Sequence, residues 1–153
     1  MTGTEKDIKE LYQAVILDHN KYPVNFGKPK KFDLMIEAHN PLCGDHFEIY
    51  FNLSSDKEII ESVHFTGEGC AISKASTSIL CKLTNKLEQN DAKILHNEFF
   101  DIFDLNKSNT PSKKELKIFS GVKKYPSRVK CAVLSWKALN NFLNNSTDIA
   151  KSE

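Results

Sequence analysis

His46-Phe47-Glu48-Ile49-Tyr50-Phe51-Asn52-Leu53 alternates without a break, Phe47, Ile49, Phe51 and Leu53 on one face and His46, Glu48, Tyr50 and Asn52 on the other. A period of two with one apolar face predicts a half-buried β-strand. Its neighbours repeat the pattern. In Phe32 to Asn40, Leu34, Ile36 and Ala38 alternate with Asp33, Met35 and Glu37. Ile59 to Thr66 sends Val63 and Phe65 inward less regularly, because Glu61 shares their parity. Ser54-Ser55-Asp56-Lys57 reads as a hairpin turn. Short polar links between such strands predict a three-stranded antiparallel sheet with one buried face.

Outward from the strands, the period lengthens. Ile8, Leu11, Tyr12, Val15 and Ile16 share one helical face, so residues from about 5 to 19 form an amphipathic helix. Ile72, Ala75, Ile79, Leu80, Leu83 and Leu87 make a second stripe after the third strand. Shorter helices are expected over Asp91 to Phe103 and around Ser112 to Phe119. Pro126-Ser127 opens a last one, with Val129, Ala132, Val133, Trp136, Leu139 and Leu143 inward. Strands first and helices afterwards give an α+β domain with the helices packed on one face of the sheet. The expectation is a single domain over residues 1–153, with a core from about 5 to 144 and frayed tails.

Composition narrows the function classes. The 21 basic and 20 acidic residues are mixed along the chain, leaving a net charge of +1. Nucleic acid is therefore not the expected partner, since phosphate neutralisation needs a concentrated basic face. No apolar run approaches the ~20 residues that span a bilayer, and the polar start lacks a signal-peptide pattern. A cytoplasmic location is the default expectation, and in that reducing compartment four cysteines read as metal-binding or catalytic before they read as disulfides.

Three of the four sit where a thiolate is useful. Cys43-Gly44-Asp45 offers a thiolate and a carboxylate across a glycine that can turn tightly and aim both at one point. Cys70 follows Gly67-Glu68-Gly69 at a helix start, and Cys131 follows Ser127-Arg128-Val129-Lys130 at the expected first turn of another. Helix N-termini favour thiolates. Three sulfurs and one oxygen would make a four-coordinate site suited to zinc or iron. Arg128 and Lys130 then make sense as cations beside an anionic cluster. Cys81, about 160° from its helix's apolar stripe and about 16 Å along the axis from Cys70, is expected to be an incidental thiol. His46 begins a strand and should point away from Asp45.

At these residues the chain resembles the IscU/NifU N-terminal superfamily of iron–sulfur cluster assembly proteins, and within it the SufU branch. The resemblance runs from Leu11-Tyr12 through Asn40-Pro41, Cys43-Gly44-Asp45, Gly67-Glu68-Gly69-Cys70 and Ile72-Ser73-Lys74-Ala75-Ser76 to Cys131-Ala132-Val133-Leu134-Ser135-Trp136. Lys130 stands where scaffold-type IscU carries a histidine, and 60 residues separate Cys70 from Cys131, as in SufU. The resemblance implies a zinc site formed by Cys43, Asp45, Cys70 and Cys131. It also implies a SufS-type cysteine desulfurase that passes sulfur to Cys43, with Arg128 assisting, and downstream iron–sulfur assembly proteins as further partners. The alternatives are a scaffold holding iron or a transient [2Fe–2S] cluster on the same ligands, and an adaptor with a purely structural zinc.

Overall fold

The computed structural model describes residues 3–107 and 111–151, with side chains from Lys9 onward. The chain runs α1 (Gly3–Lys21), β1 (Leu34–Asn40), β2 (Asp45–Leu53), β3 (Ile59–Glu68), α2 (Ala71–Thr84), β4 (Leu87–Glu88), α3 (Gln89–Asp101), α4 (Lys114–Lys117), α5 (Pro126–Leu143) and β5 (Ala150–Lys151), with a 3-10 turn over Ile118–Val122.

The sheet has five strands in the order β4-β3-β2-β1-β5. Its centre is the expected antiparallel meander, but the edges correct the three-stranded, wholly antiparallel expectation. β4 pairs antiparallel with β3, and β5 lies parallel to β1 through Ala38↔Ala150 and His39↔Lys151. Two-residue strands are too short to carry a period, so tertiary packing alone places them. β5 also corrects the expectation of a frayed tail, because Ala150 is buried against the core. Leu87, expected in the stripe of α2, belongs to β4.

Ile36, Ala38, Phe47, Ile49, Phe51, Ile60, Val63 and Phe65 are buried on one face of the sheet, and α2 and α5 pack there. A register shift at Asn52/Leu53 explains the irregular third strand: across it Ile60 and Val63 both turn inward although three residues apart. On the other face Glu48 and His46 are exposed, whereas Tyr50 is covered by the edge of the Phe32 ring, 4.9 Å between centroids. Of the α1 stripe, Ile16 is buried, Tyr12 and Val15 are half-buried, and Leu11 is exposed; the Ile8 side chain lies outside the described residues.

The helices are pinned by one indole. Trp136 of α5 stacks flat on Phe99 of α3, 4.1 Å between centroids, and its Nε1–H donates to Ser76 Oγ of α2 at 3.0 Å. That hydroxyl donates in turn to the Ala132 carbonyl at 2.6 Å. Every polar atom in this knot has a partner, as burial demands. The effect is to tie α2, α3 and α5 together.

Candidate metal centre

Asn40 and Asp45 face each other as the closing pair of the β1–β2 hairpin, and the turn between them carries Cys43. The Cys43 N–H donates to the Asn40 carbonyl at 3.3 Å, and Gly44 takes φ +74°, a left-handed conformation that glycine adopts without steric cost. The tight turn anticipated at Gly44 is thus formed. It leaves Cys43 exposed and returns Asp45 to the interior, fully buried.

Cys43 Sγ, a carboxylate oxygen of Asp45 and Cys131 Sγ all lie within 4.8 Å of one another. Three of the four expected ligands therefore converge from two elements far apart in sequence. Cys70 stands beside them but outside that mutual distance. Its backbone N–H donates to Asp45 Oδ1 at 2.8 Å, orienting the carboxylate. Its sulfur caps α2, accepting from the Ser73 N–H at 3.4 Å, and its S–H donates to Ser73 Oγ at 3.5 Å. The expected placement of Cys70 at a helix start is what the structure has.

Cys131 is different. α5 begins at Pro126, so Cys131 is the sixth helical residue and not in the first turn as expected. Unpaired N–H groups are confined to the first turn and cannot serve it. Burial, followed by the neighbouring Cys70 and Asp45, pushes its thiol well above the ordinary range. Arg128, exposed, lies over the Tyr125 ring at 4.7 Å. It is also close enough to Tyr12 to lower that phenol's pKa, although burial has the larger effect and raises it. Cys70 acts on the same phenol, and Arg128 is not part of the converging group.

Cys81 does not join the group, but its surroundings differ from expectation. It is wholly buried, because α2 is covered by α1, α5 and β3 together and leaves little of its circumference to solvent. Burial raises its thiol pKa far above the usual value, making it inert. His46 points away from Asp45 as expected and pairs with Glu37 on the outer sheet face.

The donor set fits a cation. Asp45 Oδ2 is buried with no hydrogen-bond partner, and an ionised carboxylate oxygen in that position requires a positive charge. The Cys131 thiol, pushed up by burial and by its neighbours Cys70 and Asp45, would ionise readily around a divalent metal. Sulfur with one carboxylate oxygen suits zinc or iron over magnesium or calcium.

Two features were missed in the sequence. Gly69 is required by packing: a Cβ there would meet Ser73 Oγ at 2.4 Å, Phe47 Cζ at 2.7 Å and Asp45 Oδ1 at 2.9 Å. A glycine immediately before a candidate ligand was the available signal. Asn40, only 1% exposed, also keeps its Nδ2 buried with no partner among the described residues.

An α+β domain that gathers thiols and a carboxylate at one end of its sheet defines a metal–thiolate protein. The family model for the NifU-like N-terminal domain matches residues 11–132, and the chain belongs to that family. It is 34% identical over 134 residues to the zinc-dependent sulfurtransferase SufU of Bacillus subtilis, covering 87% of this chain and 89% of that one. With the iron–sulfur cluster assembly scaffold protein IscU of Streptococcus pyogenes it shares 32% identity over 144 residues, 92% and 87% of the two chains. A crystal structure from Fervidobacterium islandicum, described as an iron–sulfur cluster assembly scaffold for the SUF system, superposes with a TM-score of 0.76 at 30% identity, covering 82% of this chain and 91% of that one. Among the described residues no helix is long and apolar enough to cross a membrane.

Proposed function

We propose that this protein is a zinc-dependent sulfur acceptor in iron–sulfur cluster assembly, receiving persulfide sulfur from a SufS-type cysteine desulfurase in the cytoplasm and passing it to downstream assembly proteins. The observation that carries the reading is the convergence of Cys43, Asp45 and Cys131 around the unpartnered Asp45 Oδ2. Cys70, the neighbour of that group, completes the ligand set. Zinc in this site is redox-silent and keeps its cysteines as thiolates at neutral pH.

The residues divide the work. Asp45, held by the Cys70 N–H, and Cys131, buried in α5, are fixed. Cys43, on an exposed turn with the Gly44 hinge, is the sulfur a partner can reach. Its thiolate attacks the terminal sulfur of the desulfurase's cysteine persulfide. A new S–S bond forms on Cys43, the donor's S–S bond breaks, and the donor cysteine leaves as a thiolate. The exchange is redox-neutral and needs no further reactant. Arg128, which acts on the same Tyr12 phenol as Cys70, assists by offsetting the site's negative charge.

Protein incubated with desulfurase and cysteine should carry the added sulfur on the peptide containing Cys43, and Cys43→Ala should abolish it. Persulfide on Cys70, Cys131 or Cys81 would overturn the assignment. Protein purified with stoichiometric iron and sulfide and no zinc would favour a scaffold, as the IscU relative is named; Lys130 argues against that, because a protonated lysine cannot serve as a ligand.

A further inference from the structure

We infer that the side-chain amide of Asn40 is the hydrogen-bond donor that receives the sulfur carried by Cys43. The inference rests on the reading of Cys43 as sulfur acceptor and adds the group that holds the transferred atom.

Asn40 and Asp45 are directly opposite in the hairpin, and both side chains are buried on its inner face. Opposite side chains on paired strands are within reach of each other. A pair placed there for structure alone would bond together and satisfy both. Among the described residues each instead keeps an unpartnered buried atom, Nδ2 on Asn40 and Oδ2 on Asp45. One is a donor and the other an acceptor, and they do not bond each other, so each is open to a species of its own. The carboxylate oxygen suits a cation. An N–H group is repelled by a cation and needs an electron-rich acceptor.

The turn supplies one. Cys43 is bound to Asn40 through its own N–H, and its sulfur lies within 4.8 Å of a carboxylate oxygen of Asp45, the residue facing Asn40. A persulfide extends Cys43 by one S–S bond, about 2 Å, and places negative charge on the terminal sulfur. An uncharged donor at that position stabilises the anion without adding a cation to compete with the metal. Lysine or arginine there would bring charge into the ligand group, and a hydroxyl would offer one hydrogen where the amide offers two.

The test uses the zinc-loaded full chain, with ¹⁵N-asparagine labelling, treated in parallel with desulfurase plus cysteine and with inorganic polysulfide. Formation of the Cys43 persulfide should move the Asn40 side-chain amide proton downfield in both arms, and no shift should occur in Cys43→Ala. Asn40→Leu, close in size, uncharged and without the donor, should keep its zinc and lose its persulfide to added thiol about tenfold faster or more, the usual scale of one lost hydrogen bond to a charged group. Persulfide on Cys43 with the Asn40 amide unmoved overturns the inference, as does an Asn40→Leu persulfide that lasts as long as the wild-type one. If Asn40→Leu does not fold, the amide shift in the wild-type chain still decides. Absence of persulfide on Cys43 in both arms would refute the acceptor reading itself, and this inference with it.

Discussion

Two buried polar clusters lie close together in this molecule and are built on opposite terms. Around Trp136, the indole N–H, the Ser76 hydroxyl and the Ala132 carbonyl form a closed chain of bonds. At the hairpin tip, Asp45 and Asn40 are as deeply buried, yet each leaves an atom unpaired. Closed bonding stabilises a fold by itself; open bonding stabilises it only when something else arrives. The difference separates what this chain uses to fold from what it uses to act.

The sharpest break of that contrast is Trp136→Ala. It removes a fully buried ring stacked on Phe99 and the indole donor to Ser76 Oγ, and should cost about 3–5 kcal/mol in urea or thermal unfolding. Zinc stoichiometry measured below the transition should be unchanged.

Gly69→Ala should cost less, about 1–3 kcal/mol, the range for an overpacked interior. Its Cβ presses on both Ser73 Oγ and Asp45 Oδ1, so metal content should fall as well. Unaltered zinc in a destabilised Gly69→Ala would show that the carboxylate's position is not critical.

Asp45→Asn tests the open cluster directly. Metal analysis should show zinc lost, while the metal-free variant should unfold within about 1 kcal/mol of metal-free wild type, because no protein partner of Oδ2 is forfeited. Cys81→Ala is the complement, keeping zinc and costing about 1 kcal/mol for a small cavity in the core.

The smallest effect is a pH slope. His19 is buried with Nδ1 on Ser78 Oγ at 2.7 Å, and burial, aided by Lys82, lowers its pKa. The unfolded chain then binds the proton more readily than the folded one. The stability from neutral His19 is complete above the unfolded value of about 6.5 and is lost as pH falls through the folded value. His19→Gln should flatten that part of the stability-versus-pH curve relative to wild type, measured in metal-free protein.

The alternation of β2 and the stripe of α5 were legible because each is long and one-sided. The Cys43-Gly44-Asp45 turn was legible because glycine between two ligand types has few other uses. β4 and β5 were not, since two residues cannot show a period. The burial of Cys81 was hidden for another reason: α2 is enclosed on several sides, and a helix buried nearly all round has no polar face by which to judge phase. Cys131 was placed one turn too early, and its thiol depends on neighbours from β2 and α2 that chain order does not reveal. Asn40 was visible as a motif residue, but its unpaired donor exists only once the hairpin closes.

The pairing of β5 with Ala38 and His39 has a practical consequence for handling the protein. Those two residues immediately precede Asn40, so the last described strand is laced to the base of the cysteine-bearing turn. A bulky tag fused after Lys151 would crowd that turn, and comparing sulfur transfer with the tag there and with it upstream of α1 would measure how much open space the turn requires.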